Sequence, residues 1–218
     1  MEIQNYNNQT FTARNKTIRV ADNIARRANF CYPRTSNTLL AGLNSAKDPK
    51  FKNLFINISA YIGAIRSLQF GNFMYANNFT KKLKSIVDPL ISARVGNCSE
   101  IAELTTLIAK ANGIKNAQMR NLITPDGQLI DHMVTYVADE KPYIIDGWLG
   151  FADYENNAIK YYQKTCDKYF NFSQLGTNKI LTKELSKNFR IPDFKNQKFT
   201  PKEIQILQQT YPEFIIKK

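Results

Sequence analysis

The chain holds one histidine, His132, and three cysteines, Cys31, Cys98 and Cys166. A cysteine nucleophile needs a base, and His132 is the only imidazole that could serve. Of the three thiols, Cys98 has the best setting. It lies in "RVGNCSEIAELTTLIAKANGI", where a turn containing Gly96 and Asn97 gives way to a helix. Backbone N–H groups at a helix start, together with the helix dipole, favour a thiolate. The same N–H groups can stabilise an oxyanion. Cys31 and Cys166 have no histidine of their own, and Cys166 falls with Ile159 and Tyr162 near one helix face, as a core residue would. A zinc site would need Cys31, Cys98, Cys166 and His132 to converge from four distant segments with no close ligand pair, so the expectation is no metal and no cofactor.

An orienting carboxylate is within range of the histidine. His132 stands mid-strand in "LIDHMVTYV", and Asp146 ends "YIID" on the next strand after a short turn. If residue i pairs with 278 − i, the two side chains are directly opposed. A sum of 280 makes them diagonal on one face, and a sum of 279 turns Asp146 away. Asp131 is nearer in sequence, but alternation points it to the opposite face, so Asp146 is preferred.

The elements that must position these groups follow from periodicity and turn chemistry. Thr17 to Phe30 reads as a helix with Ile18, Ala21, Ala25 and Ala28 inward. Asn53 to Tyr75 is a second, with Leu54, Ile58, Tyr61, Ile62, Ile65 and Leu68 at helical spacing. Phe79 to Ile86 is a third, stopped at Asp88-Pro89. Ser99 to Ala111 is the central helix, closed by Asn112-Gly113. Three strands follow, Ala117 to Ile123, Leu129 to Val137 and Tyr143 to Trp148, with "TPDG" turning between the first two. Ala158 to Phe170 is another helix, and "TPKEIQIL" starts a last one with Thr200 as cap and Pro201 in its first turn. The strand connections are too short for parallel crossovers, so the class is α+β with an antiparallel sheet. The expected organisation is one compact domain, 1–218, with a helical portion at 1–90, a catalytic core at 91–150 and a helical portion at 151–218.

"GNCSEIAELTTLIAKANGI", "DHMVTYV" and "YIIDGW" together resemble the core of the transglutaminase-like superfamily of papain-type thiol enzymes. Gly96, Cys98, Glu100, Ala102, Gly113, His132, Asp146 and Trp148 fall where that pattern places them. The resemblance spans Gly96 to Trp148, and the flanks match nothing. It implies a papain-like arrangement of the central helix on the sheet, with Cys98, His132 and Asp146 as catalytic residues and Gly96, Asn97 and Trp148 in support. It also implies attack of a Cys98 thiolate on a protein or peptide amide, as in a cysteine protease, a glutamine deamidase or a transglutaminase. In place of the aromatic residue that often follows the family's histidine, this chain has Met133 and Val134. No Gln or Trp just upstream of Cys98 offers a side-chain oxyanion donor, the nearest glutamine being Gln69.

Composition narrows the rest. Hydrophobic residues at 43% and aromatics at 12% describe a folded chain, not a disordered one. No apolar run is long enough to span a membrane, and the polar first residues hold no secretory signal core. The net charge is +12, uneven along the chain. Residues 1–90 carry 13 Lys+Arg against 4 Asp+Glu (+9), residues 91–150 carry 5 against 7 (−2), and residues 151–218 carry 12 against 7 (+5). Basic flanks could draw in a substrate with an acidic surface. No nucleic-acid motif is present, so nucleic acid is not an obligatory partner. Cysteine usage fits a reducing compartment: the cytoplasm, or a host cell entered as a bacterial effector through a dedicated secretion system. Two other functional classes fit the sequence. One is a catalytically silent module of the same fold. The other is a basic protein that binds nucleic acid or a membrane surface.

Overall fold

The computed structural model describes residues 16–31, 49–165, 181–184 and 194–216. In chain order these form α1 (Lys16–Cys31), α2 (Pro49–Tyr75), α3 (Phe79–Ala93), α4 (Cys98–Ala111), β1 (Ala117–Ile123), β2 (Leu129–Val137), β3 (Tyr143–Asp146), β4 (Phe151–Tyr154), α5 (Glu155–Thr165), β5 (Leu181–Glu184) and α6 (Pro201–Thr210). A 3₁₀ turn, Pro212–Phe214, follows α6. The class is α+β, and the sheet is antiparallel with order β4-β3-β2-β1-β5.

Local chemistry sets the element ends. Gly113 and Gly127 adopt the positive φ that the Asn-Gly stop and the "TPDG" turn demand, at 85° and 88°. Gln128 N donates to Thr124 Oγ1 at 3.0 Å, which closes that turn. Thr200 N donates to Glu203 Oε2 at 2.7 Å while Glu203 N donates back to Thr200 Oγ1, so α6 opens on a reciprocal cap.

Several boundaries differ from the sequence reading. α3 does not stop at Pro89 but runs through it to Ala93. Gln69 Nε2 donates to Ile86 O at 2.9 Å, serving a carbonyl in the turn that the proline disturbs. β3 ends at Asp146, so Trp148 sits in the turn beyond it. The sheet gains β4 and β5, which the three-strand reading missed. On α2, Ile58, Ile62 and Ile65 are buried as expected, while Tyr61 and Leu68 face solvent. The segments 166–170 and 32–48 lie outside the described residues, and with them Cys166.

The central helix α4 is buried along nearly its whole length. It packs on β1 and β2, while α1 packs on α4, β3 and β4, and α6 packs on α3 and α4. Ile18, Ala21, Ile24, Ala25 and Ala28 of α1 join the same apolar cluster as Leu207, Tyr211 and Phe214. Thr135 ties sheet to helix, since its Oγ1 donates to Ala102 O at 3.1 Å and lies 2.9 Å from Thr106 Oγ1.

The tightest approach is at Gly147. A Cβ there would fall on Thr105 Oγ1 and lie 2.9 Å from both Ala28 Cβ and Ile101 Cγ2. Gly147→Ala should therefore destabilise the protein by about 1–3 kcal/mol through overpacking. Gly71→Ala, where a Cβ meets nothing within 4 Å, should stabilise α2 by about 0.5–1 kcal/mol. Urea unfolding of the two variants measures both, with opposite signs expected.

Candidate active site

Each of the three expected groups comes from a different element. Cys98 is the first residue of α4, behind the N-cap Asn97, whose extended backbone (φ −90°, ψ −174°) delivers the chain into the helix. Gly96 is buried just before it. His132 lies in β2 at a break in the ladder: Asn121 pairs with Met133 but Leu122 with Ile130. Asp131 and His132 thus stand opposite a single step of β1, an irregularity of the kind that bends a strand and re-aims a side chain. Asp146 ends β3.

The β2–β3 register has Thr135 opposite Ile145, Tyr136 opposite Ile144 and Val137 opposite Tyr143. Each pair sums to 280, the diagonal arrangement. Continued, it sets Asp146 opposite Val134 and two residues from the position facing His132. The side chains close that diagonal with His132 Nε2 2.6 Å from Asp146 Oδ2. Cys98 lies close enough to the same imidazole to favour its protonated form. Since Nε2 belongs to Asp146, the ring edge left to the thiol is that of Nδ1. The structure therefore brings Cys98, His132 and Asp146 together.

Asp146 is only 1% exposed, so its carboxylate depends on its donors. Besides the imidazole, Oδ2 accepts from the Tyr162 hydroxyl at 2.8 Å, and Oδ1 accepts from Leu149 N at 2.9 Å. Trp148 and Tyr162 enclose the ring, with centroids 5.2 and 5.8 Å from that of His132. Trp148 is fixed from α1, because Asn29 Nδ2 donates to Trp148 O at 2.7 Å.

Charge is arranged around the start of α4 as well. Glu100 Oε2 accepts from Asn97 N at 2.9 Å, the carboxylate half of a capping box. Arg66 reaches in from α2, with Nε 2.7 Å from Glu100 Oε1 and a terminal nitrogen 2.9 Å from Ser99 Oγ. Burial opposes ionisation of Glu100, but the hydrogen bond and charge of Arg66 outweigh it and hold the carboxyl below its usual range. The Glu100 charge that would oppose a thiolate is thus answered by a cation. Gln69 is not an oxyanion donor in this arrangement, since its amide is committed to Ile86 O and to Glu103 Oε2 at 3.2 Å.

Sequence reasoning missed Arg66 and Tyr162. Arg66 had a signal, because it is the one charged residue between Lys52 and Lys81. Tyr162 had none beyond membership of an aromatic-rich helix.

His132 gives a test by pH. Burial opposes its charged form, but the charge and hydrogen bond of Asp146, then those of Cys98, prevail and push its pKa from 6.5 up to about 10. The folded state holds this proton more tightly than the unfolded chain does. The resulting stability is complete below about 6.5 and is lost as pH rises through about 10. The stability gap between the native chain and His132→Gln should shrink from pH 7 to pH 10 in urea titrations, and a constant gap would contradict the assignment. Tyr162→Phe removes one hydrogen bond to a buried carboxylate and should cost about 1.5–3 kcal/mol.

Compared with protein-family models, with curated proteins and with solved structures, the chain matches none.

Proposed function

We propose that the chain is a thiol acyl-transfer enzyme acting on a protein or peptide amide, with a transglutaminase-like, papain-type core. The observation that carries this reading is a single imidazole held between a buried carboxylate at 2.6 Å and a cysteine at a helix start. The proton shared by the pair resides on His132, and the Cys98 thiolate sulfur attacks the amide carbonyl carbon. N–H groups at the start of α4 are the natural donors to the resulting oxyanion. The C–N bond then breaks, His132 returns the proton to the departing nitrogen, and a Cys98 thioester remains. Attack by water, with its proton taken by His132, frees the thiol and yields a carboxylic acid. That is proteolysis for a backbone amide and deamidation for a glutamine side chain. Attack by an amine gives transamidation. Asp146 fixes the imidazole and stabilises its charged form, and Tyr162 and Leu149 N fix Asp146. A reducing compartment suits this chemistry, whether the cytoplasm or a host cell reached by secretion.

Burial supports a second reading. Cys98 is 6% exposed and the His132 side chain has no exposure, as in a module that kept the three groups as a polar core and lost the chemistry. Thiol reactivity separates the two. On the enzymatic reading, iodoacetamide near pH 6.5 modifies Cys98 before Cys31 and Cys166, as read by mass spectrometry of peptides. Cys98→Ala abolishes turnover of a peptide or glutamine amide, and His132→Ala lowers it by about 10²–10⁴-fold. A Cys98 that labels no faster than the other thiols, with no amide turnover, leaves the silent module.

A further inference from the structure

Helix α2 is apolar on two sides. Its inner side buries Ile58, Ile62, Ile65, Gln69 and Phe73. Its outer side carries Ile56, Tyr61, Leu68, Phe70, Met74 and Tyr75, all exposed, with Tyr61, Leu68, Phe70 and Tyr75 each more than half exposed. Between them lie Ala60, Gly63, Ala64, Ser67 and Gly71, with Asn57 and Asn72 also exposed, and a Cβ added at Gly63 or Gly71 would meet nothing within 4 Å. The face runs from Ile56 to Tyr75, about 30 Å of helix. Arg66, the one charge in that span, is turned to Glu100. An exposed set of large apolar side chains of this length marks a contact surface.

The surrounding charge says what the contact is. From Pro49 to Val87 the chain has six Lys or Arg (50, 52, 66, 81, 82 and 84) and no Asp or Glu. Arg66 pairs with Glu100, and Lys84 with Asp88 at 3.0 Å. By position, Lys50 and Lys52 stand in the first turn of α2 and Lys81 is exposed just past its other end, while Lys82 lies over the Phe73 ring at 5.5 Å. A second copy laid on this face would bring the same cations and meet repulsion. A protein partner would have to offer a groove to a convex helix face. A bilayer with anionic headgroups accepts a convex apolar face at the headgroup boundary and attracts lysines at its ends. Exposed tyrosines at Tyr61 and Tyr75 suit the same boundary, with the ring in the apolar zone and the hydroxyl in water.

We infer that the outer face of α2 docks this protein on an anionic membrane surface, lying in the interface and not crossing it. No helix among the described residues is long and apolar enough to cross. The docking is independent of the chemistry at Cys98.

Sedimentation of the full chain with vesicles tests this. Phosphatidylcholine vesicles with about a quarter phosphatidylserine should bind it, more weakly as salt rises, and phosphatidylcholine alone should bind far less. Leu68→Glu/Phe70→Glu should weaken binding by at least about tenfold, with the melting temperature and Cys98 alkylation unchanged. Lys81→Gln should weaken it by about fivefold. Equal binding to both vesicle types, or binding indifferent to the Leu68/Phe70 variant, overturns the inference. So does a dimer in sedimentation equilibrium that this variant dissociates while vesicles bind neither form; the face would then belong to a second copy.

Discussion

A carboxylate that is 1% exposed must be satisfied or neutralised, and Asp146 is satisfied from three directions. His132 reaches it from β2, Tyr162 from α5, and Leu149 N from the turn that follows β3. The turn must therefore fold back tightly. Gly150 N donates to Asp146 O at 2.8 Å, with Gly150 at φ 72°. Gly147 is pressed onto α1 and α4 where no side chain fits. Asn29 of α1 then holds Trp148 O, and Asp22 of the same helix accepts from Ala152 N at 3.2 Å. One buried charge thus fixes the β3–β4 turn, and the turn fixes the N-terminal helix against the sheet.

The same logic explains the uneven charge along the chain. The segment 91–150 is slightly acidic, and two of its carboxylates, Glu100 and Glu103, are buried on α4. Their cations come from the basic flanks: Arg66 from α2 for Glu100, and Lys195 from the C-terminal portion for Glu103. Burial nonetheless raises the pKa of Glu103, with Lys195 and Gln69 opposing that rise. Removing either cation would leave a buried carboxylate without its counter-charge, which costs more than the pair itself contributes. Part of the +9 and +5 flank charge is therefore structural, spent inside the protein and not on its surface.

How far the sequence could be read follows from which forces are local. The Asn112-Gly113 stop, the Gly127 turn and the Thr200 cap are settled within a few residues, and each appears where its residues demand. The inner face of α1 was legible because Ile18, Ala21, Ala25 and Ala28 have no competing apolar stripe. α2 has two such stripes, so periodicity alone could not say that Tyr61 and Leu68 face outward. Pro89 reads as a stop by local rules, yet α3 continues through it with Gln69, seventeen residues earlier, bonded to Ile86 O. The His132–Asp146 contact was legible through parity, since any even register sum keeps both on one face. The ladder break at Asp131–His132 was not, because regular alternation carries no sign of a bulge. Tyr162 was illegible because nothing local ties α5 to Asp146, and Lys195 because Glu103 lies far away in the chain.

Enclosure of the imidazole also bears on how an amide could arrive. Trp148 and Tyr162 stand against the ring, and Asp146 occupies Nε2, so three sides are taken. The remaining edge belongs to Cys98, at the first turn of α4. On the proposed reaction, a carbonyl reaching the sulfur comes along that helix start, past Asn97, Ser99 and the half-exposed Arg66. There the Arg66 cation is already bonded to Glu100, so the approach presents a neutralised pair, not a bare charge. On that reaction a neutral amide would leave the Arg66–Glu100 pair intact, whereas a substrate carboxylate at the same point would compete with Glu100 for Arg66 and pull at the capping box that sets the start of the helix.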